Sequence, residues 1–110
     1  IAKGQGIGHQ VVTGRIVKGK NADELLRKVA SDSIIVTVST DRELVPAMEK
    51  AAAVITEQGG LTSHAAIVGL ELGKPVILGV QNAMQLLEEG MIVTIDSERG
   101  YIYHGKAKVL

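Results

Sequence analysis

The run Gly59-Gly60-Leu61-Thr62-Ser63-His64 puts two glycines, two hydroxyls and an imidazole within six positions. Apolar residues at helical spacing follow it, from Ala65 to Leu72. Paired glycines let the backbone turn tightly and approach a ligand closely. A helix that begins at once offers N–H groups with no partner inside it, and its dipole favours negative charge there. Thr62 and Ser63 add hydroxyl donors, and His64 stands in the first turn. These groups together describe an anion site at Gly59, Gly60, Thr62, Ser63 and His64. A neutral imidazole nitrogen there can also accept a phosphoryl group, with the N–H donors stabilising the phosphoryl oxygens. The dipole contributes only about 0.3–1 kcal/mol, or ~2 kcal/mol when partly buried. The plain structural alternative is a Gly-Gly turn into a Thr62-capped helix with a solvated histidine, since any helix N-terminus attracts anions.

Other chemistries fit these residues poorly. Ser63 and His64 are chain neighbours, about 100° apart on a helix, so they do not face each other as a hydrolase pair would. His9, His64 and His104 have no ligand-like spacing, so no metal site is expected in this chain. Gly4-Gln5-Gly6-Ile7-Gly8 lacks the preceding strand and following helix of a dinucleotide fingerprint, and reads as a flexible or turning segment.

The elements that must position His64 can be read outward from it. Ala53–Thr56 is a short buried strand, and Glu57–Gly60 is the loop leaving it. Gly73 ends the helix in the usual left-handed position, and Pro75 prevents its restart. On the helical pattern Ile67 is expected inside, so Ile67→Ala should cost about 2–5 kcal/mol. Val76–Leu78 is the next strand, and Asn82 opens a short helix through Leu87, closed by Gly90. Met91–Ile95 and Tyr101–Tyr103 are strands joined by the turn Asp96–Gly100. Upstream, Val11–Val17 is a strand, and Asn21 caps a helix through Ala30 that carries Leu25, Leu26 and Val29. Ser33–Val38 has the continuous β-branched character of a strand buried on both faces. Thr40 or Asp41 then caps a helix with Leu44, Val45, Met48 and Ala52 inside. Residues 106–110 read as a frayed tail.

These elements make one α/β domain spanning residues 1–110. With no Phe or Trp and two Tyr, its core must be Val, Ile, Leu and Ala. Twelve basic and twelve acidic residues cancel, which argues against a nucleic-acid partner. No apolar run is long enough to span a membrane, and no secretory signal is visible. The absence of cysteine fits a reducing, cytoplasmic setting. The first residue, Ile1 rather than Met, reads as a fragment of something longer or a processed form.

The pattern T-x-x-G-G-x-T-S-H-x-A-I, continued by L-G-x-P-x-x-x-G, resembles the swivelling phosphohistidine domain of phosphoenolpyruvate-utilising enzymes. Thr56, Gly59, Gly60, Thr62, Ser63, His64, Ala66, Ile67, Leu72, Gly73, Pro75 and Gly79 carry the likeness. The domain occurs in pyruvate phosphate dikinase, phosphoenolpyruvate synthase and the first enzyme of the sugar phosphotransferase system. The glycine-rich start, Thr40-Asp41 and the closing V-T-I-D-x-x-x-G-x-I-Y also fit, so nearly the whole chain is covered. The resemblance implies a compact three-layer β/β/α fold, with a sheet, a second small sheet, and helices on one side. It makes His64 a candidate phosphoryl acceptor. The family pattern usually has an Arg six residues after that His, and here the position is Leu70. The wording TEQGGLTSHAAIVGLELGKPVILGVQNA is most similar to the extra C-terminal domain of bacillus-type pyruvate kinases. That resemblance implies a parent phosphotransferase and an anion-binding role that is structural or regulatory. It also implies magnesium and potassium in the parent, with no cofactor in this domain. Expected partners are a phosphate or phosphorylated small molecule and the parent's other domains. The alternative is an active carrier phosphorylated on His64.

Overall fold

The computed structural model describes residues 2–19 and 21–106. Among these residues eight strands form one sheet: β1 (Ala2–Lys3), β2 (Gln5–Ile7), β3 (Val11–Lys18), β4 (Ser33–Thr37), β5 (Ala53–Thr56), β6 (Val76–Leu78), β7 (Ile92–Asp96) and β8 (Tyr101–His104). Among the described residues four helices connect them: α1 (Ala22–Lys28), α2 (Val45–Lys50), α3 (His64–Leu72) and α4 (Ala83–Leu86). A 3-10 turn, Arg42–Leu44, leads into α2 and is capped by the Asp41 side chain. No helix among the described residues is long and apolar enough to cross a membrane.

Strands β3, β4, β5 and β6 run parallel, as the alternation of strands and helices requires. Their register sorts the side chains into two cores. Val17, Ile35, Val54 and Val76 pair in line and face the helices, where Leu25, Leu44, Met48, Ala65 and Ala66 cover them. Val36, Ile55 and Ile77 face the other way and pack with Ala83 of α4, with Leu87 at its end, and with Val93, Ile95 and Ile102 of β7 and β8. The layers are therefore α1, α2 and α3, then the parallel strands, then the β7–β8 hairpin; the short α4 lies on the hairpin side, so the helices are not all on one side as expected. The hairpin layer is continuous with the first through β3, which pairs antiparallel to β7 from Val11↔Asp96 to Arg15↔Ile92.

The glycine-rich start, expected to be a flexible or turning segment, is paired strand. In the strand order β1-β8-β7-β3-β4-β5-β6-β2, the two edge strands are consecutive pieces of the N-terminal segment, separated by Gly4. β1 pairs with β8 and β2 pairs with β6, so the sheet curls until its edges meet across that residue. The Gly4 N–H also donates to the Gly100 carbonyl at 2.8 Å. Closure removes exposed edges, which is a strong reason for an otherwise weak strand sequence to pair. A side chain at Gly6 would meet the Ser97 carbonyl oxygen, and one at Gly4 would meet that of Leu78.

Three other expectations change. Ile67 is 51 % exposed, and the buried face of α3 is Ala65, Ala66, Val68 and Gly69. Small residues win that face because the helix lies close to the sheet, where a side chain at Gly69 would strike Val76 Cγ2. Ser63, not Thr62, caps α3. Val45 is only partly buried, and Ala52 lies beyond the end of α2. Of the expected tail, 107–110 lie outside the described residues.

A charged cluster ties α1 to the segment before β7. Glu89 Oε1 accepts from the Lys18 N–H at 2.8 Å and from Lys28 Nζ at 3.0 Å. The Glu89 hydrogen bond is the main cause that raises the Lys28 ammonium above its ordinary pKa. Partial burial pushes the Glu89 carboxyl up, but the Lys18 N–H and the Lys28 ammonium outweigh that and hold it below its ordinary value. A depressed carboxyl contributes stability above its unfolded pKa of about 4.3, lost as pH falls through the folded value. The raised lysine contributes below its unfolded pKa, lost as pH rises through the folded value. Glu89→Gln should therefore lower stability near neutral pH by about 0.5–1 kcal/mol, a magnitude set by solvent screening. The difference from wild type should vanish in urea melts well below about pH 4.

Candidate anion site at the His64 helix

The site forms at the carboxyl ends of β4 and β5, where parallel strands of α/β sheets leave a crevice. Both strands are buried and aligned through Thr37↔Thr56. Pairing continues into the loops, with the Glu57 N–H on the Thr37 carbonyl at 3.1 Å and the Gln58 N–H on the Val38 carbonyl at 2.9 Å. Thr56 Oγ1 donates to the Gln58 carbonyl at 2.7 Å. The chain then reverses at Gly59, whose φ of 107° lies in the region that favours glycine. Its absent side chain leaves room for Ser63, 3.0 Å from where a Cβ would stand.

Ser63 starts the helix. Its Oγ accepts from the Ala66 N–H at 3.4 Å, and its carbonyl accepts from the Ile67 N–H at 3.1 Å. The N–H groups of His64 and Ala65 have no acceptor among the described residues, as expected for the first helical positions. The half-buried His64 ring is pinned from the β4 side, with Nδ1 2.8 Å from Thr40 Oγ1. When Nδ1–H donates to Thr40, the lone pair of Nε2 is left as the acceptor nitrogen.

Ser39, Thr40, Gln58, Gly59, Ser63, His64 and Ala65 line a hollow of ≈ 180 Å³. Gly59, Ser63 and His64 thus come together as a lining set, while Gly60 and Thr62 fall outside it. Thr62 is exposed, and Gly60 serves the turn by accepting from the Ser63 N–H at 2.9 Å. The lining holds hydroxyls, an amide and backbone N–H groups, and among the described residues no Lys or Arg. Leu70 is 66 % exposed on the outer side of α3.

Sequence reasoning did not assign Ser39, Thr40 and Gln58 to the site. Thr40 offered one signal: Asp41 beside it suffices as a cap, through Oδ1 on the Leu44 N–H at 3.2 Å, which frees the threonine for His64.

Comparison with known proteins gives a consistent picture. Residues 29–100 match the family described as PEP-utilising enzyme, mobile domain. Over all 110 residues the chain is 54 % identical to pyruvate kinases of Bacillus licheniformis and Geobacillus stearothermophilus, and it spans 19 % of each. It therefore covers about a fifth of the length of the curated relatives it matches. The fold is similar to a solution structure of Enzyme I, with TM-score 0.63 and 21 % identity over 76 % of this chain and 34 % of that one. It is also similar to aconitase X of Thermococcus kodakaraensis, with TM-score 0.63 and 14 % identity over 96 % of this chain and 98 % of that one.

Proposed function

The chain belongs to the family of PEP-utilising enzyme mobile domains, and on that premise we propose that it is the C-terminal phosphohistidine-like unit of a pyruvate kinase. In this reading the hollow at His64 holds phosphate or a phosphorylated small molecule, and its role is structural or regulatory rather than catalytic. One observation supports the reading: the hollow collects hydroxyls and helix N-terminal N–H groups around a pinned histidine, yet among the described residues no cation lines it. N–H and hydroxyl donors can hold an anion's oxygens. A transferring phosphoryl group spreads more charge and needs positive partners against it. The exposed Leu70, where the family pattern usually has Arg, cannot supply one.

Phosphotransfer belongs to the parent, and this domain alone is not expected to turn over. Magnesium and potassium go with the kinase portion. Among the described residues no three His, Asp or Glu side chains converge to hold a metal. The other partners are the parent's remaining domains, in the cytoplasm, without nucleic acid or membrane. The balanced charge and cysteine-free sequence support that setting.

A second reading, an active carrier phosphorylated on His64, is favoured by the Thr40–Nδ1 contact, because in the tautomer whose Nδ1–H donates to Thr40 the Nε2 lone pair is left for a phosphoryl group.

Phosphate titration followed by backbone amide shifts tests the binding claim. Without a cation the affinity should be weak, with Kd on the order of millimolar. The largest shifts are expected at Gly59, Ser63, His64 and Ala65, and His64→Ala should reduce them. Shifts confined to other regions would remove the claim.

A further inference from the structure

Glu57 stands between the central strand β5 and two residues that line the hollow, Gln58 and Gly59. Its side chain is half-buried, and Oε2 accepts from the Met84 N–H at 2.8 Å, 27 positions along the chain. Met84 is the second residue of α4, and an N–H at that position is ordinarily taken by the side chain of the N-cap. Here the N-cap is Asn82, whose side chain makes no such bond and whose backbone is left-handed at φ 60°. Among the described residues it is the one non-glycine with positive φ. Glu57 therefore caps α4 in its place. The backbone is tied to the same side, with the Val80 N–H on the Thr56 carbonyl at 2.9 Å. Gly79 passes so close that a side chain there would stand 3.5 Å from the Gly59 carbonyl oxygen. On the other side, the Glu57 and Gln58 N–H groups bond to the carbonyls of Thr37 and Val38. Gln58 and Gly59 are thus held between the end of β4 and the start of α4.

We infer that Glu57 is a positioning residue for the His64 hollow: its carboxylate clamps the Gln58-Gly59 edge of the hollow to α4, on the opposite side of the sheet from α3. This deepens the reading of the hollow as an anion site and rests on it. An acid next in sequence to that lining works against a bound anion through its charge, because like charges repel. The cap accounts for its place there. The carboxylate is engaged by the Met84 N–H, and Lys18 Nζ donates to the Met84 carbonyl at 2.9 Å, which brings a positive charge to the same residue. What the side chain contributes is an acceptor oxygen at a fixed point, and that contribution is separable from its charge. Glutamine keeps an acceptor oxygen without the charge, and alanine keeps neither.

Titration with inorganic phosphate followed by amide shifts, together with amide hydrogen exchange, tests this on wild type, Glu57→Gln and Glu57→Ala. Glu57→Gln should bind phosphate at least as tightly as wild type, because the bond to Met84 stays and a negative charge goes. Glu57→Ala should raise Kd about fivefold, the scale set by one net hydrogen bond. Its exchange at Gln58 should rise about tenfold, with Ile55 in the centre of the sheet unchanged, as for a local opening. Equally tighter binding by both variants would reduce Glu57 to its charge and overturn the inference. An alanine variant that matches wild type in both readouts would overturn it too. So would one in which exchange at Ile55 rises as much as at Gln58, since that marks a role in overall stability. If wild type shows no phosphate shifts at Gly59, Ser63, His64 and Ala65, the anion reading falls. Exchange at Gln58 against Ile55 then still decides the clamp: a rise at Gln58 alone in Glu57→Ala, absent in Glu57→Gln, supports it, and no such rise overturns it.

Discussion

Gly6→Ala is expected to destabilise the chain by about 3 kcal/mol or more, at the upper end of overpacking effects, and Gly6→Val to prevent stable folding. Space, not backbone conformation, is the cause, since Gly6 is absent from the positive-φ glycines. A Cβ there would collide with the Ser97 carbonyl oxygen and stand 3.2 Å from the Gly100 nitrogen. Both obstacles are backbone atoms and cannot rotate away. They are also held firmly: Ser97 exchanges hydrogen bonds with Gln10 at 2.9–3.1 Å, and the Gly100 N–H donates to the Asp96 carbonyl at 2.8 Å. Relief would require β2 to leave β6, or the turn after β7 to shift, and either opens the closed sheet. Domains of this kind are stable by only about 5–15 kcal/mol, so opening it removes much of the total. Gly60→Ala is the matched control. Its nearest neighbour would be Gln5 Oε1 at 3.9 Å, and a change within about 0.5 kcal/mol is expected. Urea melts that place Gly6→Ala beside wild type would show that the sheet is not closed through its N-terminal segment.

Ile55→Ala should cost about 2–5 kcal/mol and Ile67→Ala less than about 0.5 kcal/mol. Ile55 has no exposed surface and sits between Val36 and Ile77 in the inner core, on the central strand β5. Removing its side chain leaves a cavity that buried strands on both sides cannot close. Ile67, by contrast, already meets solvent over half its surface. The comparison is made on the 110-residue chain by chemical denaturation. A larger loss at Ile67 than at Ile55 would mean that α3 presents its other face to the sheet.

The second of these results reverses what the sequence suggests, and the reason is physical. Ala65, Ala66, Ile67 and Val68 are consecutive and all apolar, so α3 carries no hydrophobic period from which an inner face could be read. Hydrophobicity pointed to Ile67. The size limit imposed by Val76 beneath Gly69 selected the small residues instead, and that limit exists only once strand and helix are assembled. Where punctuation was strong, the reading held closely. Ala53–Thr56 and Val76–Leu78 are the observed strands, and Gly73 ends α3 in the left-handed conformation at φ 67°. The N-terminal strands escaped notice because their pairing partners, β8 and β6, lie far away in sequence. The site shows the same division. Gly59, Ser63 and His64 were legible as a local run. Thr40 is 24 positions from His64 and reaches it only through the parallel alignment of β4 and β5.

The proposed non-catalytic role is tested most directly on His64 itself. The chain is incubated with phosphoenolpyruvate and a competent donor domain of the family, then analysed by mass spectrometry under alkaline conditions that preserve phosphohistidine. Among the described residues the hollow supplies donors but no cation, and Leu70 stands where the family pattern usually has Arg. Arg would bring paired N–H donors that neither lysine nor backbone reproduces. His64 and Leu70 are about 600° apart along the helix, so the two positions do not stack. The expected result is no appreciable phosphate on His64 in the unmodified chain. Stable phosphohistidine at that residue would contradict the non-catalytic reading and make the chain an active carrier.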